Sequence, residues 1–304
     1  MDMRLIISQM VVLFMLLALG YVVGKKVLSA EADKVLTRLV LGVSVPCTIL
    51  NSVMNNDIDG TIGDAAFFML MTLIFFAVAH LITIPSVRLL RGAKKDRGVY
   101  ACSATFGNVG FMGFPATYAI FGAASAFYVA LLNMPFTLLM FSVGTAMIAG
   151  SGEKINFKIL LNPAMIAAYL SILIFATGFQ TPTMIADTVG IVSGITTPVS
   201  MIVIGSTLAK MPVKDLFSDW RIYPVTLLKL IVIPIVTWLV LRQFITNDLM
   251  LGVLVVLSGM PTAATATMLA VEHGSNEKIA SAVTFLTTLL SCVTIPLIVF
   301  LLLT

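Results

Sequence analysis

The sequence predicts an all-α integral membrane protein with ten transmembrane helices, arranged as two inverted five-helix repeats. Three observations predict it. Apolar residues fill 59% of the 304 positions and charged residues 11%, with a mean hydropathy of +1.07, outside the range of soluble domains. Apolar stretches of spanning length succeed one another along the whole chain. A Gly–hydroxyl–Pro pattern in the first half also returns in the second, at an offset of half the chain length. Because a spanning helix takes roughly 20 apolar residues, ten spans and short loops leave no room for a separate soluble domain.

Charged, Gly and Pro punctuation delimits spans near 4–23, 34–54, 64–88, 99–122 and 124–149, which form a first repeat over 1–150. The second repeat, 151–304, holds spans near 160–180, 184–209, 222–245, 249–272 and 278–303. Asn162 and Pro163 interrupt the start of the sixth. The run Leu5 to Val23 is too long for a secretory signal, and no small-residue cleavage site precedes Lys25 and Lys26, so it counts as a span.

Basic residues set the orientation, since Lys and Arg near span ends stay in the cytoplasm. Loops after odd-numbered spans hold Lys25, Lys26, Lys34, Arg38, Arg88, Arg91, Lys94, Lys95, Arg97, Lys154, Lys158, Lys210, Lys214, Arg221 and Lys278, fifteen of the 18. Arg4 and Arg242 lie on the other side, so both termini are expected outside. The formal charge of +4 identifies no partner, because such loops arise from orientation alone.

At an offset of 152, Gly42-Val43-Ser44-Val45-Pro46-Cys47-Thr48 falls on Gly194-Ile195-Thr196-Thr197-Pro198-Val199-Ser200, and Gly107 falls on Gly259. Five spans is an odd number, so the second half enters the membrane from the opposite side. Inverted repeats of this kind place substrate near the repeat interface in many secondary transporters.

Span four reads Ser103-Ala104-Thr105-Phe106-Gly107-Asn108-Val109-Gly110-Phe111-Met112-Gly113-Phe114-Pro115. Gly relaxes the backbone, and Pro lacks an N–H and clashes with the carbonyl four residues back, so a break or unwound turn is expected. Ser258-Gly259-Met260-Pro261-Thr262 predicts the same at matching depth in span nine. Exposed backbone in lipid is tolerated where it lines a cavity, and each half-helix start favours an anion through its N–H groups and dipole. A carboxylate is a natural guest, and a Pro kink for packing is the plainer alternative. Asn108 donates and accepts hydrogen bonds, which suits either a carboxylate or a bridge between helices. Thr262, followed by Thr265 and Thr267, is placed to cap the half-helix or touch substrate.

Lys229 lies about eight residues, roughly 12 Å, inside the eighth span. It reads as a countercharge to an anion or as a lysine reaching back to the interface. None of the 14 acidic residues falls clearly in the middle third of a span; Asp64, Asp187 and Glu272 lie near ends. No carboxylate relay or site for a cationic substrate is visible. His80 and His273 read as structural, as do Cys47, Cys102 and Cys292, which lack metal-binding or disulfide spacing. HExxH, P-loop and GxGxxG motifs are absent, so no enzyme, primary pump, metal, cofactor or nucleic-acid partner is expected. A sodium-coupled symporter, with Na⁺ held by unwound carbonyls and Thr hydroxyls, and a metabolite receptor remain as alternatives.

The string from Gly107 to Pro115, continuing to Ala119-Ile120-Phe121-Gly122, with the Gly259-Met260-Pro261 region and the basic loop before span four, resembles the auxin efflux carrier family. Prokaryotic members are described as malonate or malate permeases. The resemblance implies helices four and nine broken and crossing, as in bile-acid sodium symporters. It also implies a scaffold of spans 1, 2, 6 and 7, and a transport domain of spans 3, 4, 5, 8, 9 and 10 that moves elevator-fashion. It implies a homodimer, and carriage that in the plant members needs neither sodium nor a proton gradient. The expected cargo is a mono- or dicarboxylate or auxin-like acid. By the resemblance Asn108 contacts its carboxylate, and Asn133 stands where the plant carriers have Gln. Substrate contacts are expected at Gly107, Asn108, Val109, Met260, Pro261, Thr262 and Asn133, with Ser44, Thr48 and Leu50 on the scaffold side. The crossover is expected at Gly110, Gly113, Pro115, Gly259 and Pro261. The long cytoplasmic loop of the plant carriers is missing.

Overall fold

A computed structural model describes residues 3–55, 60–149, 160–211 and 219–303, with side chains from residue 8 onward. The 150/151 repeat boundary and Lys154, Lys158 and Lys214 lie outside the described residues, as does the side chain of Arg4. The regular elements of the described residues are all helices, without strands. Seven helices are long and apolar enough to cross a membrane: Ser8–Lys26, Ala30–Met54, Ile62–Leu89, Ser125–Ala149, Thr183–Lys210, Ile222–Leu241 and Glu277–Leu302. The chain is a multi-pass membrane protein. The stretches predicted at 99–122 and 249–272 are each interrupted, and that at 160–180 is helical over Pro163–Thr177, about 22 Å.

Two compact units divide the chain. The first comprises Met1–Leu70, Gly110–Pro135 and Phe157–Lys210, and the second Met71–Val109, Phe136–Asn156 and Met211–Thr304.

In the first unit, α1 (Met3–Lys26) packs along α11 (Thr196–Lys210). Gly20 and Gly24 stand one turn apart on α1, and small residues at that spacing let membrane helices approach closely. A Cβ on Gly20 would lie 2.4 Å from the Ile202 carbonyl oxygen, and one on Gly205 would lie 2.0 Å from that of Leu17. Span two is α2 (Ala30–Leu39), a π-helical turn over Val40–Ser44, and α3 (Val45–Met54). Ser29 caps α2, accepting the Ala32 N–H at 3.2 Å. The Lys210 ammonium at the end of α11 pairs with the buried Asp33 of α2. The interruption at Asn162 and Pro163 is a start signal: Asn162 caps α9 (Pro163–Thr177) by accepting the Met165 N–H at 3.0 Å, and proline's missing N–H costs nothing in the first turn. Gly178, at φ 62°, ends it. α10 (Thr183–Ser193) joins α11 through Gly194 and Ile195.

The second unit holds α5 (Lys94–Thr105), α8 (Thr145–Ala149), α12 (Ile222–Leu227), α13 (Ile233–Leu241), α14 (Asp248–Ser258), α15 (Ala264–Glu272) and α16 (Glu277–Leu302). α4 (Ile62–Leu89) and α7 (Ser125–Leu139) run from the first unit into the second, and α6 (Phe114–Phe121) lies in the first. α5 and α8 touch backbone to backbone, since a Cβ on Gly98 would lie 1.6 Å from the Met147 carbonyl oxygen.

π-helical turns occupy Val40–Ser44, Val109–Gly113, Met140–Gly144 and Leu228–Val232. Pro46, Pro115 and Pro234 follow three of them at the same distance, two residues past the turn. In each case the carbonyl four residues before the proline lies inside the wide turn, which removes the ring clash without ending the helix.

Candidate functional site

Span four breaks at Phe106–Asn108. α5 ends at Thr105, Phe106 is extended (φ −97°, ψ 115°), and the chain resumes helically at Val109. The break lies upstream of Pro115, whose local effect is the π-helical turn. Span nine breaks where α14 ends at Ser258; Gly259 to Ala263 carry the chain to α15, with Ala263 extended (φ −65°, ψ 133°).

The two breaks meet within the second unit. Asn108 N–H donates to the Pro261 carbonyl at 2.7 Å and Ala263 N–H to the Phe106 carbonyl at 3.0 Å, an antiparallel bridge across Gly107 and Thr262. Backbone released from a helix needs a partner in lipid, and each break provides it for the other. A Cβ on Gly107 would sit 3.2 Å from both the Lys229 Nζ and the Met260 Cβ, so a side chain there would crowd the crossing.

Thr262 is fully buried, and its hydroxyl donates to the Ser103 carbonyl at 2.7 Å. Its N–H donates to the Thr287 hydroxyl at 3.1 Å. The N-cap of α15 is Ala263, which makes no side-chain cap, so Thr262 ties span nine to span four instead of capping. The Phe106 ring anchors the break among Phe76, Phe136 and His80, with ring centroids 5.9, 5.9 and 5.7 Å away.

Asn108 is half-buried next to the bridge, flanked by the buried Gly107 and Val109. Met260 and Pro261 are buried opposite. Lys229, in the π-helical turn before Pro234, is fully buried; it does not reach for the interface. Its ammonium donates to the carbonyls of Thr105, at 3.4 Å, and Ser258, at 3.2 Å. These are the last helical residues of α5 and α14.

The other expected site residues belong to the first unit: Ser44, Thr48, Leu50, Gly110, Gly113, Pro115 and the half-buried Asn133. Ser44 and Thr48 are buried. The Thr48 hydroxyl lies 2.7 Å from that of Thr196, accepts from Ser193 at 3.2 Å and lies 2.9 Å from the Ser44 carbonyl. Thr196 is the residue that the 152-residue offset lays on Ser44, so the two segments matched by that offset touch.

Ser103, Thr105 and Thr287 take part in the crossing without having been singled out in the sequence. Ser103 and Thr105 contribute main-chain carbonyls, which carry no sequence signature. Thr287 is one threonine among several on α16. A cavity of about 560 Å³ lies elsewhere in the second unit, between the start of α5 and the α15–α16 turn, lined by Lys94, Lys95, Asp96, His273, Asn276 and Lys278 among others.

The membrane transport protein family model matches residues 5–158 and 147–299. An uncharacterised transporter of Methanothermobacter thermautotrophicus is 29% identical over 289 residues, covering 93% of each chain. A Rhizobium meliloti protein provisionally named a malonate transporter is 23% identical over 294 residues, covering 93% of this chain and 91% of its own. An uncharacterised transporter of Methanocaldococcus jannaschii is 25% identical over 281 residues, covering 89% and 90%. These relatives are transporters and not enzymes. With matches that run nearly end to end, the chain belongs to the membrane transport protein family, that of the auxin efflux carriers, and is a membrane transporter.

Proposed function

We propose that the protein is a secondary carrier for a small organic anion, and that Asn108 and the Met260–Pro261–Thr262 turn contact its carboxylate. The observation that carries this reading is the meeting of two broken helices beside a half-buried amide side chain. Asn108 spends its main-chain N–H on the bridge, which fixes the backbone that carries the amide. The half-helix that starts at Ala264 presents the positive end of its dipole, which favours an anion. Malonate is the first acid to test, from the provisional name of the Rhizobium relative.

The chain crosses the plasma membrane ten times as two inverted repeats, 1–150 and 151–304, with both termini outside. Spans four and nine cross as in bile-acid sodium symporters, and Asn133, Ser44, Thr48 and Leu50 serve as further substrate contacts. Alternating access is of elevator type, and the protein is a homodimer.

The test is counterflow of labelled malonate, then malate and indole acids, in liposomes carrying the purified protein. Exchange above empty liposomes is expected for at least one acid. Loss of a hydrogen bond to a charged group costs about 1.5–3 kcal/mol, so Asn108→Ala is expected to weaken affinity about tenfold or more. Unchanged affinity and rate in Asn108→Ala overturn the site, and no exchange of any carboxylate overturns the cargo class.

A further inference from the structure

We propose that the cavity at the start of α5 binds a phosphate-bearing anion, with Lys94, Lys95 and Lys278 as its countercharges. The site lies apart from the crossing and does not depend on which acid is carried. Its placement on the cytoplasmic face rests on the orientation proposed above.

About 560 Å³ of open space lies where α5 begins, α8 ends and the α15–α16 turn reverses the chain. A hollow of that size falls within the range of small-molecule sites. The turn builds it. Gly274, at φ 60°, lets the chain leave α15 and enter α16 over residues 273–276. Asn276 then holds two elements at once: its Oδ1 accepts the Ile279 N–H at 3.3 Å, which caps α16, and its Nδ2 donates to Asp96 Oδ1 at 3.2 Å. The second bond ties the start of α16 to the start of α5. Lysines from both starts therefore border one hollow, Lys94 and Lys95 from α5 and Lys278 from α16.

The three lysines are exposed, and the ion pairs among the described residues, Lys210–Asp33 and Arg221–Asp219, do not include them. Two carboxylates share the lining: Asp96 receives the Asn276 amide, and Glu277 stands in the first turn of α16, where an acidic side chain complements the helix dipole. Three ammonium groups against two carboxylates leave the hollow positive. Orientation in the membrane accounts for basic residues on this face, but it does not gather three of them around one cavity. The end of α8 supplies an apolar wall, Met147, Ile148 and Ala149. Helix ends bound the hollow, so it lies at a membrane face. A positive rim beside an apolar wall there suits a phosphate that carries a carbon skeleton, since ammonium groups hold phosphate as point charges and the wall takes the carbon. Two sources share that chemistry, the headgroup of an anionic phospholipid and a soluble phosphate ester.

The experiment is thermal unfolding of the purified full chain in uncharged detergent at fixed ionic strength, with no carboxylic acid present. One arm replaces added phosphatidylcholine with phosphatidylglycerol, and the other replaces chloride with glycerol 3-phosphate. The melting temperature is expected to rise by several degrees in at least one arm, and the arm that responds names the source. Lys94→Gln/Lys278→Gln is expected to lose the rise or to need about tenfold or more ligand to reach it, because each lysine contributes separately to holding an anionic phosphate. Lys25→Gln/Lys26→Gln, at the end of α1 in the first unit, is expected to keep it. No rise in either arm overturns the proposal. So does a rise that survives Lys94→Gln/Lys278→Gln, or one that both double variants lose equally, because the anion then responds to the general charge of the protein. If Lys94→Gln/Lys278→Gln does not fold, Lys278→Gln alone carries the same comparison. With no carboxylic acid in either arm, these outcomes stand apart from success or failure of the carboxylate reading.

Discussion

The α1–α11 contact of the first unit and the crossing of the second both depend on glycine, but in opposite ways. In the first, both helices stay intact and glycine lets their backbones touch at Gly20, Gly24 and Gly205. In the second, the helices end, and glycine at 107 makes room for a bridge of backbone hydrogen bonds and a lysine. Lipid tails are as apolar as the side chains, so helices in a membrane adhere through close packing or through polar groups that must find partners. The α1–α11 pair uses the first means and the crossing uses the second. The two regions therefore break differently, one by added bulk and the other by removal of a hydroxyl or a charge.

The largest expected effect is steric. Gly205→Leu forces α1 and α11 apart at a point where even a Cβ would lie 2.0 Å from the Leu17 carbonyl oxygen. Overpacking costs about 1–3 kcal/mol and more against backbone, so this variant is expected at or above about 3 kcal/mol, seen as a fall in melting temperature. An unchanged melting temperature would show that the contact is dispensable. Next comes the polar counterpart, Thr262→Val, which keeps the shape but strands the Ser103 carbonyl. A buried group left without its partner costs about 1–3 kcal/mol. Thr262→Ser is expected to restore most of that stability, and equal melting of the Val and Ser variants would refute the hydroxyl's role.

Gly107→Ala ranks third. Its Cβ meets two atoms at 3.2 Å, one of them the end of the long Lys229 side chain, so a loss of about 1 kcal/mol is expected, well below Gly205→Leu. A larger loss than Gly205→Leu would reverse the comparison.

The smallest effect lies outside the spans, at Asp219. Burial alone would raise its pKa, but the Tyr100 hydroxyl, the Arg221 N–H at 3.0 Å and the Arg221 guanidinium at 3.2 Å together hold it below the ordinary carboxylate value. A carboxyl whose folded pKa is lowered contributes stability above its unfolded pKa and loses it as pH falls through the folded one. Tyr100→Phe narrows that gap, so the acid limb of the stability–pH curve should become shallower. Solvent screening keeps the effect below about 1 kcal/mol. Parallel acid limbs for wild type and variant would exclude Tyr100 from this role.

What the sequence revealed follows from how local the chemistry is. Pro and Gly act on their own backbone, so the interruptions of spans four and nine were legible from the Gly107–Pro115 and Ser258–Thr262 strings. The position of the first was less so, because Pro115 has a wide turn as its outlet and the chain opens at Phe106 instead. Asn162 and Pro163 looked like an interruption and proved to be a cap and first residue, which the Asn–Pro order itself encodes. Lys229 was visible as a buried charge, but its acceptors were not: they are main-chain carbonyls 124 and 29 positions away, and any residue type supplies a carbonyl. Thr262 was visible too, yet its hydroxyl goes to Ser103, 159 residues away, and not to its own helix. Gly20 and Gly24 stand at the four-residue spacing of closely packed membrane helices, but that spacing names no partner, and α11 as the partner emerges from the structure alone.

The bridge at Gly107 and Thr262 has a consequence for hydrogen–deuterium exchange. The amides of Asn108 and Ala263 are sealed by each other's chain, so neither can be released by fraying of one helix alone. They should take up deuterium at a common rate, slower than the ends of α5 and α14. A cargo that tightens the crossing should slow both together, reporting occupancy of the protein through two peptides more than 150 residues apart in sequence.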